Sequence, residues 1–168
     1  MSEGIDFAQK ESRGLQVHQT LRRVLAALQT HRRAAVQVAA GDREQAAAMD
    51  ASAAEIDKAM TQIEAQSSNG LGAEFAIADG VGSLRRKWGA LRSARTSTVD
   101  DVLAAHDGAV RESVGLMDRV ATSSGMVLDP DADSLFMLLI LSQQIPSVTE
   151  RLGQLHGSAA AAITAGRV

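Results

Sequence analysis

The chain has 168 residues, a mass of 17.6 kDa, a formal net charge of −3 and a pI near 5.8. This length suits one domain, and the acidic balance leaves no basic field that would attract nucleic acid. Aromatic residues make up only 2% and cysteine is absent, which argues against a β-sandwich or barrel and excludes disulfides, thiolate zinc sites and a cysteine nucleophile.

The first predicted helix covers residues 5–40. Its inward positions alternate in spacing between four and three, which is typical of a coiled-coil-like seam. The seam consists of Val17, Leu21, Val24, Leu28, His31, Ala35 and Val38. Gly41 then indicates a helix stop, and Asp42 indicates the N-cap of a second helix over residues 43–67, with Gln45 placed to complete a capping box.

The second helix carries the same spacing, and a breaker cluster at 67–70 ends it. Residues 70–97 are less regular and predict one short amphipathic helix within 79–95. Thr98 and Asp101 form a second capping signal, which predicts a third helix over 99–124. After a loop at 129–133, a fourth helix is predicted over 133–165, with Pro146 as a kink.

These elements predict an all-α fold: an up-down-up-down four-helix bundle with a short extra helix in the connection between helices two and three. The short connections at 41–42 and 125–132 make neighbouring helices antiparallel. Both chain ends would then lie at one end of the bundle, and residues 70–97 would fill the space beside them.

Motifs for catalysis and for cofactors are missing from the sequence. There is no Glu-x-x-His pair for a di-iron site, no Gly-x-Ser-x-Gly turn and no phosphate-binding glycine motif. We therefore expect no catalytic residue, no metal and no cofactor in this domain.

A polar layer inside the predicted bundle is the candidate binding site. Measured from the 41/42 end, the seam positions His31, Ser113 and Ser142 all lie about 15 Å deep, together with Ala53. Small and hydroxyl side chains leave room for a ligand, and Arg32 at the edge could pair with an anionic group. The layer therefore predicts a pocket for a small anionic ligand.

Two readings of this layer stay open. A second polar layer, which includes His106, is predicted about 25 Å from the same end. Helical serines often bond back to the preceding turn, and an interior histidine is often satisfied by a neighbouring side chain. The alternative to a pocket is thus a closed layer in which these groups satisfy each other.

The most specific motif of the sequence is the run 128–134, Leu-Asp-Pro-Asp-Ala-Asp-Ser, preceded by Ser124-Gly125. It resembles the signature of the helical periplasmic sensor regions of transmembrane histidine kinases and methyl-accepting chemoreceptors. The pairs His31-Arg32 and Gly41-Asp42, and the Ile145-Pro146 pair further on, also resemble this family, so the similarity covers nearly the whole chain. Where the family places two tyrosines after Asp-Ser this chain has Leu135 and Phe136, so the relatives' ligands do not transfer.

The resemblance implies a single extracytoplasmic sensor domain over residues 1–168. It implies a homodimer in the periplasm, membrane-spanning helices outside both ends, and output to a cytoplasmic histidine kinase or chemotaxis module. No run within the chain reaches the roughly 20 apolar residues of a spanning helix. A helical adaptor that binds protein only, with no small ligand, is the alternative from a different functional class.

Overall fold

The computed structural model describes residues 2–94 and 98–126, together with seven residues of the segment 152–163: Leu152, Gly153, Leu155, Gly157, Ala159, Ala162 and Ile163. The helices are α1 (Ser2–Ala39), α2 (Ala46–Gln66), α3 (Gly72–Glu74), α4 (Ala78–Ser93) and α5 (Val99–Ser123). Every regular element in these ranges is helical and none is a strand. The all-α class is therefore confirmed.

Predicted boundaries for three long helices and the short one agree with the structure to within a few residues. Of the predicted helix 133–165, only the seven residues above are described, and all are helical. The start of this helix, Pro146, the loop at 129–133 and the whole family motif at 128–134 lie outside the described residues.

The ends of α1 and α5 follow from local hydrogen bonding. Gly41 takes φ of +106°, and the Asp42 N–H donates to the Gln37 carbonyl at 2.9 Å, which is the glycine-dependent stop predicted for α1. The Asp42 carboxylate then accepts the Glu44 N–H at 3.1 Å and caps a short 3-10 turn that leads into α2. The predicted capping box is therefore wrong, because the 3-10 turn separates Asp42 from α2, whose N-cap is Gln45 without a side-chain hydrogen bond. At α5 the Thr98 hydroxyl oxygen accepts the Asp101 N–H at 3.1 Å, so the predicted cap is present.

The predicted seams form the core. On α5 all six seam residues are buried: Val102, His106, Ala109, Ser113, Leu116 and Val120. On α1 the seam from Val17 to Ala35 is buried, and on α2 the buried seam members are Ile56, Met60 and Ile63. The period of 3.5 therefore marks the inward face of each helix correctly.

Helices α1 and α5 run in opposite directions, and a close contact joins the first part of α1 to the end of α5. A Cβ on Gly14 would lie 2.3 Å from Ser124 Cβ, a separation that only glycine permits. Toward the other end, Val102 at the start of α5 clusters with Ala35 and Val36. The end of α5 is thus beside the first third of α1, and the expectation that residue 125 lies near the 41/42 end is wrong.

The reason for this difference is α4. Its Trp88 and Arg92 bind Asp57, and its Arg85 binds Glu64, so α4 lies antiparallel along α2. It carries the chain from the end that holds residues 67–77 back to the 41/42 end, and it contributes Trp88 to the core. The segment 70–97 therefore contains a helix that packs along α2 and contributes to the core. The sequence predicts a short helix in this segment but places it in the space beside the chain ends.

The described part of the last segment also runs opposite to α5. Gly153 lies against the Arg32 guanidinium, where a Cβ would be 2.7 Å from Nη2, and Gly157 lies 3.5 Å from Leu103 by the same measure. Arg32 itself bonds Asp107, one turn beyond Leu103. The segment therefore heads toward the 41/42 end, away from the start of α1, which disagrees with the expectation that both chain ends meet.

Two glycines give a matched test of the helix ends. Gly41→Ala forces a side chain into the left-handed region and should lower the free energy of unfolding by about 1–2 kcal/mol. Gly89→Ala, on α4 where a Cβ meets open space, should raise it by about 1 kcal/mol through helix propensity. Urea denaturation measures both, and changes of equal sign would contradict this account of the two positions.

Candidate functional site

The polar centre of the fold is a contact between two buried imidazoles from different helices. His31 Nδ1 on α1 lies 2.8 Å from His106 Nε2 on α5. His106 Nδ1 lies 2.7 Å from the Val102 carbonyl, which can only accept, so that nitrogen carries the proton. In the neutral pair, His106 Nε2 must then accept from the His31 Nδ1–H. Each ring is thereby held in one tautomer.

Trp88 completes what we call the histidine cluster: His31, His106 and Trp88. The His31 and Trp88 ring centroids are 5.0 Å apart with their planes at 86°, an edge-to-face contact. The Trp88 indole N–H donates to Asp57 Oδ1 at 2.8 Å, and Arg92 bonds the other carboxylate oxygen at 2.5 Å. The cluster therefore joins three helices, and α2 supports it through Asp57.

A second polar contact lies beside the first. Arg32 follows His31 on α1, and its Nη1 donates to Asp107 Oδ1, the neighbour of His106, at 3.1 Å. The Arg32 side chain is only 2% exposed, whereas that of Asp107 is 29% exposed. A buried guanidinium is costly without charge compensation, so this pair constrains where α1 can lie on α5.

The structure separates the residues of the predicted pocket. His31 is level with His106, which is seven residues, or about 10 Å, from Ser113 along α5. The assignment of His31 and His106 to different layers is therefore wrong, because α5 runs in the direction opposite to the one expected. Ser113 is fully buried and its hydroxyl donates to the Ala109 carbonyl at 3.0 Å. Ser142 lies outside the described residues.

Burial dominates the electrostatics of the histidines. Desolvation, with smaller contributions from the nearby His106 and Arg92, lowers the pKa of His31 to about 4, and Asp50 opposes this shift. Burial likewise lowers the pKa of His106, although its bond to the Val102 carbonyl acts the other way. On α1, burial and the charge of Arg22 lower the pKa of His18 to about 4. These rings are therefore neutral near pH 7.

An open groove lies between α1 and α2. It has a volume of about 450 Å³ and is lined by Arg23, Ala26, Ala27, Thr30, Ser52, Glu55, Lys58, Ala59 and Gln62. The seams did not reveal it, because most of its lining residues are at exposed positions of the two helices, although Ser52 and Ala59 are buried. The only sequence signal is the coincidence of small residues at those positions.

Within residues 2–94, 98–126 and the seven described further on, no three His, Asp or Glu side chains converge as metal ligands. Among those residues, no helix combines the length and apolar character of a membrane span. Comparison of the chain with protein-family models, curated proteins and solved structures found no match.

The buried histidines predict a stability that depends on pH. Between the unfolded pKa of about 6.5 and a folded value near 4, the unfolded chain binds a proton that the folded chain refuses. Stability should therefore fall as pH drops from 7 to 5, by up to about 1.4 kcal/mol per pH unit for each histidine. Urea denaturation at a series of pH values measures this slope above the range in which the carboxylates titrate.

Substitutions can test whether the histidine cluster causes this dependence of stability on pH. His31→Gln should be less stable at pH 7 but should show a shallower pH slope, because one titrating ring is gone. Arg33→Gln, at an exposed position on α1, should keep the parent slope. A parent protein with equal stability at pH 7 and pH 5 would contradict the assignment.

Proposed function

We propose that this chain is the ligand-sensing domain of a membrane-anchored receptor, placed in the periplasm, with output to a two-component histidine kinase. A methyl-accepting chemotaxis receptor is the alternative output. Support comes from the resemblance carried by residues 124–134 and by His31-Arg32 and Gly41-Asp42, and from the all-helical fold. Any phosphotransfer would belong to another part of the parent chain.

The observation that carries the proposal is the double polar contact between α1 and α5. The consecutive residues His31 and Arg32 bind the consecutive residues His106 and Asp107. A shift of α1 by one turn would break both of these polar contacts. Helix α1 would therefore occupy one of a few discrete positions on α5 and would not slide continuously along it. A ligand that prefers one of two such positions shifts the population between them and moves α1.

In this proposal the helices complete an up-and-down bundle, closed by the predicted helix 133–165. Because residues 153–157 head toward the 41/42 end, away from the start of α1, the signal in this proposal would run along α1 alone. With 38 residues α1 is about 57 Å long, enough to connect the double polar contact to the end of the bundle that holds Phe7 and Gly125.

The receptor would work as a parallel homodimer through an outward stripe on α1. Ile5, Ala8, Ser12 and Leu15 are exposed and spaced 3-4-3, and Ile5 and Leu15 are 57% and 46% exposed. In a parallel two-fold pair each residue of such a stripe meets its own copy. The same stripe favours the second candidate function, a helical adaptor, if another protein covers it.

A compound panel tests the sensing function. Small organic acids and amino acids at millimolar concentration should include one that raises the unfolding temperature. A ligand at 100 times its Kd adds about 2.7 kcal/mol to the folded state. A panel without any shift, together with capture of a protein partner on the α1 stripe, would favour the adaptor.

Disulfide trapping tests the dimer, because the chain has no cysteine of its own. Leu15→Cys should cross-link to its own copy under mild oxidation, since parallel packing brings the two positions together. Ala54→Cys, at an exposed position on α2, should stay monomeric. Equal, slow cross-linking of both variants at high protein concentration would exclude the α1 stripe as the interface.

A further inference from the structure

The groove between α1 and α2 is separate from the histidine cluster and has the size of a small-ligand site. Its volume of about 450 Å³ lies within the range of roughly 300–1,000 Å³ that is typical of ligand pockets. Two shallower depressions, lined in part by Gln19 and Arg23, adjoin it. Arg23 lines all three, so this guanidinium stands at the centre of the concave surface.

The floor of the groove is apolar and its own hydroxyls are occupied. Ala26, Ala27 and Ala59 line it. The Thr30 hydroxyl donates to the Ala26 carbonyl at 3.0 Å, and the Ser52 hydroxyl donates to the carbonyl of Ala48 at 2.9 Å. The floor therefore offers contact area to an apolar body, while polar recognition is left to the charged rim.

The charges on the rim are ordered along the groove. Arg23 is level with Gln62, because its Nη1 donates to Gln62 Oε1 at 3.3 Å. Along α2, Lys58 is four residues from Gln62 and Glu55 is seven residues from it, which correspond to about 6 and 10 Å. Arg23 therefore lies at one end of the groove, Lys58 near its middle, and the Glu55 carboxylate at the other end.

In the part of the chain that the structure describes, Arg23, Lys58 and Glu55 form no ion pair. Charged side chains on the neighbouring face of α2 do: Asp57 pairs with Arg92, and Glu64 pairs with Arg85. The rim charges of the groove can therefore bind a ligand without the loss of an ion pair. Arg23 would exchange its hydrogen bond to Gln62 for a charge-assisted one to the ligand.

We infer that this groove binds a short zwitterionic peptide of about three small residues. Its carboxylate lies on Arg23 and Lys58, its body lies on the alanine floor, and its ammonium group lies on Glu55. Extended chain spans about 3.3–3.6 Å per residue, so a tripeptide covers the roughly 10 Å between Arg23 and Glu55. This inference rests on the proposed sensing function and names the ligand class that the receptor would detect.

The same arrangement excludes other small ligands. A free α-amino acid holds its two charges on one carbon and cannot reach both ends of the groove. A dicarboxylate would place its second negative charge against Glu55, and like charges in contact are unfavourable. The order of affinity should therefore be tripeptide first, then alanine, then glutarate.

Calorimetry with Ala-Ala-Ala tests the inference directly. The parent protein should bind it, and Arg23→Gln and Glu55→Gln should each weaken binding about tenfold or more through loss of a charged partner. Arg33→Gln and Glu44→Gln, at exposed positions outside the groove, should bind like the parent. All four changes are at exposed positions, so the fold should be retained.

Modified peptides assign each charge to its partner. The C-terminal amide of Ala-Ala-Ala should bind the parent weakly, and its affinity for Arg23→Gln should be the same as its affinity for the parent. The N-acetylated peptide should behave in the same way toward Glu55→Gln. If both rim variants bind the unmodified peptide like the parent, the assignment of this groove is wrong.

The outcomes separate this inference from the proposed function. No binding of Ala-Ala-Ala by the parent overturns the inference. If another panel compound then stabilises the protein to the same extent in the parent and in Arg23→Gln, the sensing function stands and the ligand site lies elsewhere. If no compound stabilises the parent, the inference and the sensing function fail together.

Discussion

The hydrogen bond between His31 and His106 fixes how the longest helix lies in this fold. It joins the interior of α1 to the interior of α5, and the Val102 carbonyl determines which nitrogen donates. A second fixed point is the close approach of Gly14 to Ser124, about 25 Å along α1 from His31. Two such points define the register of the helix pair, and α2 and α4 pack around it.

Local signals in the sequence were sufficient for α1, α2, α4 and α5 and for their inward faces. The seams and the cap at Thr98 depend on residues within one or two turns, so they could be predicted from spacing alone. The 3-10 turn after Asp42 was not predicted, and it displaces the expected cap of α2. The direction of α5 could not, because it depends on whether residues 70–97 cross the bundle. That question is decided by tertiary contacts of Trp88 and Arg85 with α2, which no spacing rule encodes.

The same limit explains the candidate sites. His31 and Arg32 were predicted as site residues, but their partners His106 and Asp107 required the relative level of two helices. The spacing of apolar residues did not predict the groove, because most of its lining residues are at exposed positions outside the seams. Thr30 in the groove and His31 in the histidine cluster are consecutive on α1, so a ligand in the proposed site would lie within one turn of the polar contact between α1 and α5.

Trp88 provides an intrinsic fluorescence signal from the core of this protein. It is the only tryptophan, and the chain has no tyrosine, so the indole emission of the whole protein comes from one ring in contact with His31. A protonated imidazole quenches an adjacent indole, and a displaced one changes the polarity around it. The emission intensity and wavelength therefore record, without any label, both the charge of His31 and the position of α1 relative to α4.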